Sequence, residues 1–291
     1  MNTTWVRALT KDKVELHALL FEPEIKTNTI ILHFHGKEGN FINNRFLYTM
    51  KDYLPSKGIS FMTVNQRGHD YMSEALVQTP SGFEYKKFGF AYDVFEDSLK
   101  DIEPFVRYSF DHGYRRIYLE GHSLPHKCVF YHNKTKDDRI NGIISICNSD
   151  LLFEFTAYVD NFEDNLKLAK ALVDSGQGDR MMPVLMWAGA YASAKTFWSY
   201  GNPNGNAQIF SFSDPHFDYK ALEKITVPIV YIEPETDFSM GIDPKESLKI
   251  CKMFTKKGLG ETIYIPMASH SFINREEEIS QAIARWVLSQ K

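Results

Sequence analysis

Short apolar runs alternate along this chain of 291 residues with longer amphipathic segments, and this alternation limits the possible folds more than any other feature. Runs such as TIILHFHG, RRIYLEGHS and INGIISICNS contain short blocks of bulky apolar residues, as expected of strands that are buried on both faces. The segments between them carry apolar residues at three- and four-residue spacing, which is typical of helices that cover a sheet. The pattern predicts an α/β protein with a mostly parallel sheet and helices on both of its faces.

Eight strands are predicted. The first two form an N-terminal hairpin that turns at residues 10–13, and the others lie in TIILHFHG, ISFMTVN, RRIYLEGHS, INGIISICNS, VPIVYIEPETD and ETIYIPMASH. One apolar stripe predicts a single long helix between the fourth and fifth strands, and it consists of Tyr92, Phe95, Leu99, Ile102, Val106 and Phe110. Amphipathic helices are also predicted before the fourth strand, between the last two strands and at the C-terminal end of the chain.

The alternation of short apolar runs and amphipathic segments stops between about Asp150 and Val227, where the sequence becomes rich in aromatic residues and methionine. This stretch is expected to be helical and to contain no clear strand. We therefore predict a helical lid formed by residues 151–225, inserted into a core that consists of residues 1–150 and 226–291.

Composition excludes several classes of protein. The net charge of −4 and the lack of a basic block disfavour a nucleic-acid partner or an anionic membrane surface. No signal peptide is recognisable, and no run approaches the ~18 apolar residues of a membrane-spanning helix. The three cysteines are too widely spaced for a disulfide framework or a C-x-x-C site. We expect a cytoplasmic protein with reduced thiols, no cofactor and no metal, whose oligomeric state the sequence leaves open.

The stretch YLEGHSLPHK ends the fifth predicted strand in a sharp turn at Gly121, His122 and Ser123. It matches the pattern G-x-S-x-G except that Pro125 replaces the second glycine. With its eight strands, this arrangement resembles the α/β-hydrolase superfamily, and in particular its serine esterases and thioesterase-like members with a helical lid. The resemblance spans nearly the whole chain, and it implies that Ser123 is a nucleophile on a strand-to-helix turn.

In that superfamily the acid and the histidine follow the nucleophile along the chain. Asp237 follows the strand VPIVYIEPET, and His270 follows ETIYIPMAS, so both are expected at the sheet edge where Ser123 emerges. The resemblance implies that His270 is the general base and that Asp237 orients it. Glu235 and Asp150 remain alternative acids, because each also lies at or near the end of a strand.

The loop HFHGKEGN follows the third strand, where the superfamily keeps its oxyanion loop. The resemblance implies that the backbone N–H groups of Lys37 and Leu124 form the oxyanion hole. Pro125 removes neither donor, and proline is acceptable in the first turn of a helix. We therefore expect the missing glycine to affect the efficiency of the site and not its existence.

Several side chains near these positions are candidates for contact with substrate. His122 is either a packing residue of the turn or a substrate contact, and Trp187 and Trp198 of the lid are candidates for lining an acyl pocket. His126 and Lys127, one turn into the helix after Ser123, are expected to be solvated, with contact to substrate as the alternative.

These features predict a serine hydrolase that cleaves a carboxylic ester or a related activated acyl group through an acyl-serine intermediate. Its partner would be a small-molecule acyl substrate with an apolar portion. The same three residues would also serve an acyltransferase or an amide or carbon–carbon hydrolase. A non-catalytic ligand-binding module of the same fold is the alternative outside enzymology.

Overall fold

The structure is a computed structural model and describes residues 2–290. Eight strands form its main sheet, in the spatial order β1-β2-β4-β3-β7-β8-β11-β12. They are β1 (Asn2–Leu9), β2 (Glu15–Glu22), β3 (Thr29–Phe34), β4 (Ser60–Asn65), β7 (Arg116–His122), β8 (Ile140–Ile146), β11 (Ile229–Thr236) and β12 (Gly260–Ser269). These are the eight strands that the sequence predicts.

The sheet is antiparallel only at its N-terminal edge. β1 pairs with β2 as a hairpin and β2 pairs antiparallel with β4, whereas all neighbours from β4 to β12 are parallel. β3 and β4 are buried along their whole length, and the nearly continuous apolar sequence of β3 is typical of such a strand. Parallel pairing brings the C-terminal ends of β3, β7, β8, β11 and β12 to one edge of the sheet.

Helices cover both faces of the sheet. On one face lie α1 (Arg45–Ser56) and α9 (Glu276–Ser289), which pack against one apolar cluster with Phe46, Ile283 and the sheet residue Tyr118. On the other face lie α2 (Ser98–Asp111), α3 (His126–Thr135) and α8 (Pro244–Phe254), which share a second cluster. The layers are those of the α/β-hydrolase fold, as expected from the sequence.

Residues 151–225, called the inserted segment below, lie between β8 and β11. They form the helices α4 (Leu151–Tyr158), α5 (Phe162–Asp174), α6 (Ala194–Gly201) and α7 (Lys220–Glu223) and the strands β9 (Met181–Met186) and β10 (Ala190–Ser193). The expectation that this stretch contains no strand is wrong, because β9 and β10 pair as an antiparallel hairpin. Apolar residues of α4 and α6 join the cluster on the α2 and α3 face.

Two features before the fifth strand of the sheet also differ from expectation. Residues 73–88 form a hairpin of β5 (Ser73–Thr79) and β6 (Gly82–Phe88), which was not predicted. The predicted long helix begins only at Ser98, since Tyr92 and Phe95 lie in two short 3-10 turns. Within residues 2–290, no helix is both long enough and apolar enough to cross a membrane.

Candidate active site

Ser123 lies between the last residue of β7 and the first residue of α3, in a left-handed backbone conformation with φ of 65°. This conformation is rare for a residue with a side chain, and it costs free energy that the surrounding structure must supply. The Ser123 N–H donates to the Ile146 carbonyl at 2.9 Å, and the Leu124 N–H donates to the His122 carbonyl at 2.7 Å. The backbone therefore reverses tightly at the serine, and the Ser123 side chain is half-buried.

Two glycines make room for this turn. A Cβ added at Gly36 would lie 2.6 Å from Ser123 Cβ, and one added at Gly121 would lie 2.6 Å from Pro125 Cα. Neither position tolerates a side chain without movement of its neighbours. Pro125 itself, the N-cap residue immediately before α3, has φ of −63°, which suits its ring. The expectation that proline fits here is confirmed by this geometry.

Asp237 and His270 meet at the same edge of the sheet. Asp237 follows β11, His270 follows β12, and His270 Nδ1 lies 2.8 Å from Asp237 Oδ2 and 2.9 Å from Oδ1. The Asp237 carboxylate is fully buried and also accepts the Ser239 N–H at 2.8 Å and the Ser239 hydroxyl at 2.6 Å. Burial acts to raise the pKa of Asp237, but the bonds from His270 and Ser239 outweigh it and hold that pKa below its ordinary value.

The two alternative acids have other partners. Asp150 is the N-cap of α4: its Oδ1 accepts the Phe153 N–H at 2.9 Å, and its Oδ2 accepts the Ser213 N–H at 2.5 Å. Glu235 is exposed and accepts the Met267 N–H at 2.6 Å. Asp237 is therefore the carboxylate that the structure brings to His270.

His122 is buried behind His270. Its Nε2 donates to the His270 carbonyl at 2.8 Å, and its Nδ1 accepts from Asn44 Nδ2 at 3.4 Å. Burial, and then the neighbouring His270, lower the pKa of His122 to about 3, so the ring is neutral. The Cys147 thiol donates to the same His270 carbonyl at 3.4 Å. His122 thus fixes the backbone of residue 270, and the structure favours the packing alternative over a substrate contact.

Ser123 is linked to Asp237 by two further hydroxyl groups. Ser123 Oγ lies 3.5 Å from Ser149 Oγ, which donates at 3.0 Å to Ser239 Oγ, and Ser239 donates in turn to Asp237. No hydrogen bond between Ser123 and His270 is present in the described part of the chain. The sequence did not indicate Ser149 and Ser239 as residues of the site, although each lies within two residues of a candidate acid.

The two backbone groups expected to form the oxyanion hole differ in their surroundings. Gly36, next to Lys37, lies against Ser123, and among residues 2–290 no acceptor bonds the Lys37 N–H. The Leu124 N–H faces the His122 carbonyl, as described above. Their role as a pair stays a prediction.

The two tryptophan candidates lie in the inserted segment. Trp187 is buried, with its ring centroid 4.7 Å from that of Phe155, and Trp198 is half-buried beside the ammonium group of Lys170. Both contact other residues of this segment, and their role in lining an acyl pocket stays a prediction.

The expectation that His126 and Lys127 are solvated is wrong. The ring of His126 is enclosed against Phe210, and the buried Lys127 Nζ forms an ion pair with Asp93 at 3.0 Å. Because Asp93 also accepts the Tyr200 hydroxyl, this buried lysine connects α3 with the inserted segment.

One group of side chains has a spacing that a metal ion could use. The ligand atoms of Cys147, Asp237 and His270 lie within 4.8 Å of one another. However, Asp237 and His270 Nδ1 already bond each other, and burial, followed by the charges of Asp237 and Glu233, raises the pKa of the Cys147 thiol well above its usual range. A protonated thiol is a poor metal ligand, so the arrangement fits a hydrogen-bonded cluster better than a metal site.

Known structures share this architecture. Est1E from Butyrivibrio proteoclasticus with bound ferulic acid is 16% identical and superposes with a TM-score of 0.65 over 99% of this chain and 98% of that chain. The monoacylglycerol lipase of Paleococcus ferrophilus is 18% identical, with a TM-score of 0.63 over 95% and 99%. A soluble variant of monoglyceride lipase from Saccharomyces cerevisiae, in complex with a substrate analog, is 13% identical, with a TM-score of 0.63 over 98% and 94%.

No curated protein matches the sequence significantly. One family model does: it carries the description "Protein of unknown function (DUF1749)" and covers residues 73–290, which is more than half of the chain. At the identities given above, the likeness to solved structures shows a shared fold. The chain thus belongs to the DUF1749 family of proteins of unknown function and has the α/β-hydrolase fold.

Proposed function

We propose that this protein is a serine hydrolase that cleaves a carboxylic ester, with Ser123 as the nucleophile. The observation that carries the proposal is the position of Ser123 in a left-handed turn at the sheet edge that also holds the buried Asp237–His270 pair. A serine hydroxyl needs a nearby base to become a nucleophile, and a histidine held by a carboxylate is such a base.

The hydrogen bonds define what His270 can do. Its Nδ1 faces the Asp237 carboxylate, so Nδ1 carries the proton and donates it. Nε2, on the other side of the ring, then holds a lone pair and has no partner among residues 2–290 that could block it. In the proposed reaction Nε2 takes the Ser123 proton during attack and returns it to the leaving alcohol, and Asp237 stabilises the imidazolium that forms.

Ser123 Oγ must turn from Ser149 toward His270 for this transfer. Rotation about χ1 moves a serine hydroxyl among three staggered positions, and catalytic hydrogen bonds are commonly long in the absence of substrate. The resting bond to Ser149, at 3.5 Å, is weak enough to be exchanged. The Lys37 N–H, and the Leu124 N–H once it turns from the His122 carbonyl, would stabilise the oxyanion.

The substrate class follows from the surroundings. We assign the inserted segment, residues 151–225, the role of a lid over the sheet edge, in line with its position between β8 and β11. Its aromatic and apolar content suits an acyl or alcohol group with an apolar portion. The monoacylglycerol lipase and the monoglyceride lipase among the similar structures support an ester as the substrate.

A fluorophosphonate probe tests the proposal, because it modifies only activated serines. The wild type should be labelled and should hydrolyse short p-nitrophenyl esters, whereas Ser123→Ala should do neither. Ser81→Ala, a change in the exposed turn between β5 and β6, is the matched control and should behave as wild type. A folded wild type that resists the probe would refute the proposal and favour a non-catalytic binding module.

A further inference from the structure

Phe238, the residue directly after Asp237, exposes a large apolar ring beside the histidine of the site. The residue is 59% exposed, and its ring centroid lies 4.7 Å from that of His270. A single exposed apolar side chain is common on protein surfaces, but this one contacts the group that the proposed reaction uses as its base. An apolar group bound next to His270 would cover this ring.

Two aromatic rings within residues 2–290 contact the ring of His270, and only one of them is open to a ligand. The ring of His122, with its centroid 5.0 Å away, is buried, and both of its nitrogens are bonded. Asp237 occupies Nδ1 of His270, and residue 270 itself is only 9% exposed. Phe238 is therefore the aromatic neighbour of the base that a bound substrate can contact.

The inserted segment holds Phe238 in place. The Tyr158 hydroxyl donates to the Phe238 carbonyl at 3.1 Å, and the ring centroid of Tyr158 lies 5.6 Å from that of Phe153. A Cβ added at Gly241 would lie 2.8 Å from Phe153 Cδ2, so α4 packs closely against the loop that follows Asp237. The backbone that carries the Phe238 ring is thus fixed before substrate arrives, which lowers the entropy cost of binding.

The proposed reaction determines which part of an ester would meet Phe238. His270 Nε2 returns its proton to the oxygen of the leaving alcohol as the bond between that oxygen and the carbonyl carbon breaks, so this oxygen must come within about 3 Å of Nε2. Because the imidazole ring is small, a group carried by that oxygen lies within reach of the Phe238 ring. The acyl group is instead attached to the carbonyl carbon, which Ser123 attacks.

We propose that Phe238 binds the alcohol part of the substrate, so that the preferred substrates are esters of alcohols with an aromatic ring close to the ester oxygen. This inference rests on the proposed ester hydrolysis and names its substrate class. An aromatic ring in this place would remove from water the apolar surface that Phe238 exposes in the free protein. Two aromatic rings in contact also attract each other beyond the burial of their area.

Two isomeric esters test the inference. Benzyl acetate carries a phenyl ring in its alcohol part, and methyl phenylacetate carries the same ring in its acyl part. Methyl acetate, which has no ring, is the reference for both, and benzyl alcohol and methanol are leaving groups of similar acidity. The alcohol ratio is kcat/KM for benzyl acetate divided by kcat/KM for methyl acetate. The acyl ratio is kcat/KM for methyl phenylacetate divided by the same reference.

The wild type should have an alcohol ratio of about ten or more, as expected for an aromatic contact that also buries apolar area. Phe238→Ala should bring the alcohol ratio close to one and leave the acyl ratio unchanged, whereas Phe238→Tyr keeps the ring and should keep the alcohol ratio. Phe110→Ala is the matched control and should keep both ratios. Phe110 is an exposed phenylalanine at the end of α2, which leads into the N-terminal end of β7 and thus into the opposite edge of the sheet. Both ratios are independent of the folded fraction, because all esters meet the same preparation.

An alcohol ratio near one in the wild type, or a high alcohol ratio that survives in Phe238→Ala, would overturn the inference. A fall of both ratios in Phe238→Ala would also overturn it, because the ring would then support His270 without selecting the alcohol. In each case hydrolysis of methyl acetate leaves the proposed function standing. If none of the esters is hydrolysed, the inference fails as well, and fluorophosphonate labelling of Ser123 then decides separately whether the protein is a serine hydrolase.

Discussion

Glu233, in the middle of β11, should make the free energy of unfolding fall as the pH rises. Its side chain is fully buried, and its Oε1 accepts the Asn148 N–H at 3.0 Å and Asn148 Nδ2 at 2.5 Å. Burial, and then the charge of Asp237, raise the pKa of Glu233 to about 8, although the bonds from Asn148 oppose the shift. The folded protein therefore holds a proton that the unfolded chain, with a glutamate pKa of about 4.3, releases much earlier.

The change Glu233→Gln removes this titration and keeps an oxygen for the Asn148 bonds. A raised pKa in the folded state contributes stability that is fully present below the unfolded pKa and is lost as the pH rises through the folded pKa. In this range one extra bound proton changes the free energy of unfolding by about 1.4 kcal/mol for each pH unit. The free energy of unfolding of the wild type should therefore fall by about 2 to 3 kcal/mol relative to that of Glu233→Gln between roughly pH 5 and pH 7. Above about pH 8 the difference should become constant.

Urea unfolding at a series of pH values, followed by the fluorescence of the four tryptophans, measures this difference. Glu235→Gln, two residues further along β11 at an exposed position, is the matched control and should keep the wild-type pH dependence. Parallel curves for the wild type and Glu233→Gln across this range would refute the reasoning, because they would mean that residue 233 holds no extra proton in the folded protein.

Three further predictions concern the site and its support. Asp237→Asn should lower kcat about 10⁴-fold with an unchanged circular dichroism spectrum, because His270 loses its orienting carboxylate; turnover near the wild-type value would contradict this role. Gly36→Ala should lower both kcat/KM and fluorophosphonate labelling, because the added Cβ would lie 2.6 Å from Ser123 Cβ. Labelling at the wild-type level would contradict this prediction and show that the loop moves to accept the methyl group without disturbing Ser123. Arg67→Met should lower the free energy of unfolding, measured with urea, by about 3 to 5 kcal/mol, because the buried Asp101 loses the guanidinium group that lies 2.8 Å away. A decrease below about 1 kcal/mol would contradict this prediction.

The inner strands of the main sheet were predictable because they are buried. An apolar run such as that of β3 can only be a core segment, and parallel strands place their C-terminal ends at one edge. The meeting of Asp237 and His270 follows from that rule together with the order of the strands. The strand-to-helix turn at Ser123 was implied by the resemblance to α/β-hydrolases, whereas its left-handed backbone conformation became visible only in the structure.

The hairpins were not predictable in the same way. β6 is exposed along nearly all of its length, so no burial pattern distinguishes it from a loop. β9 and β10 form a separate two-stranded sheet, and their apolar residues pack against the surrounding helices of the inserted segment. A short apolar run of this kind does not separate strand from helix by its periodicity.

Contacts between side chains that are far apart along the chain were not predictable for another reason. Ser149 and Ser239 meet only because β8 and β11 are neighbours, and each is an ordinary loop serine when read alone. Lys127 was expected in solvent because lysine is rarely buried, but its charge is paired with Asp93.

Formation of a covalent ester at Ser123 is the central step of the proposed reaction. Rapid acid quenching of the protein during turnover of p-nitrophenyl acetate, followed by peptide mass spectrometry, measures this directly. An acetyl group should be found on the peptide that contains Ser123, and it should be absent when His270 is replaced by alanine. An enzyme that turns over the ester with no acetyl on this peptide, or with the acetyl on another residue, would contradict the account.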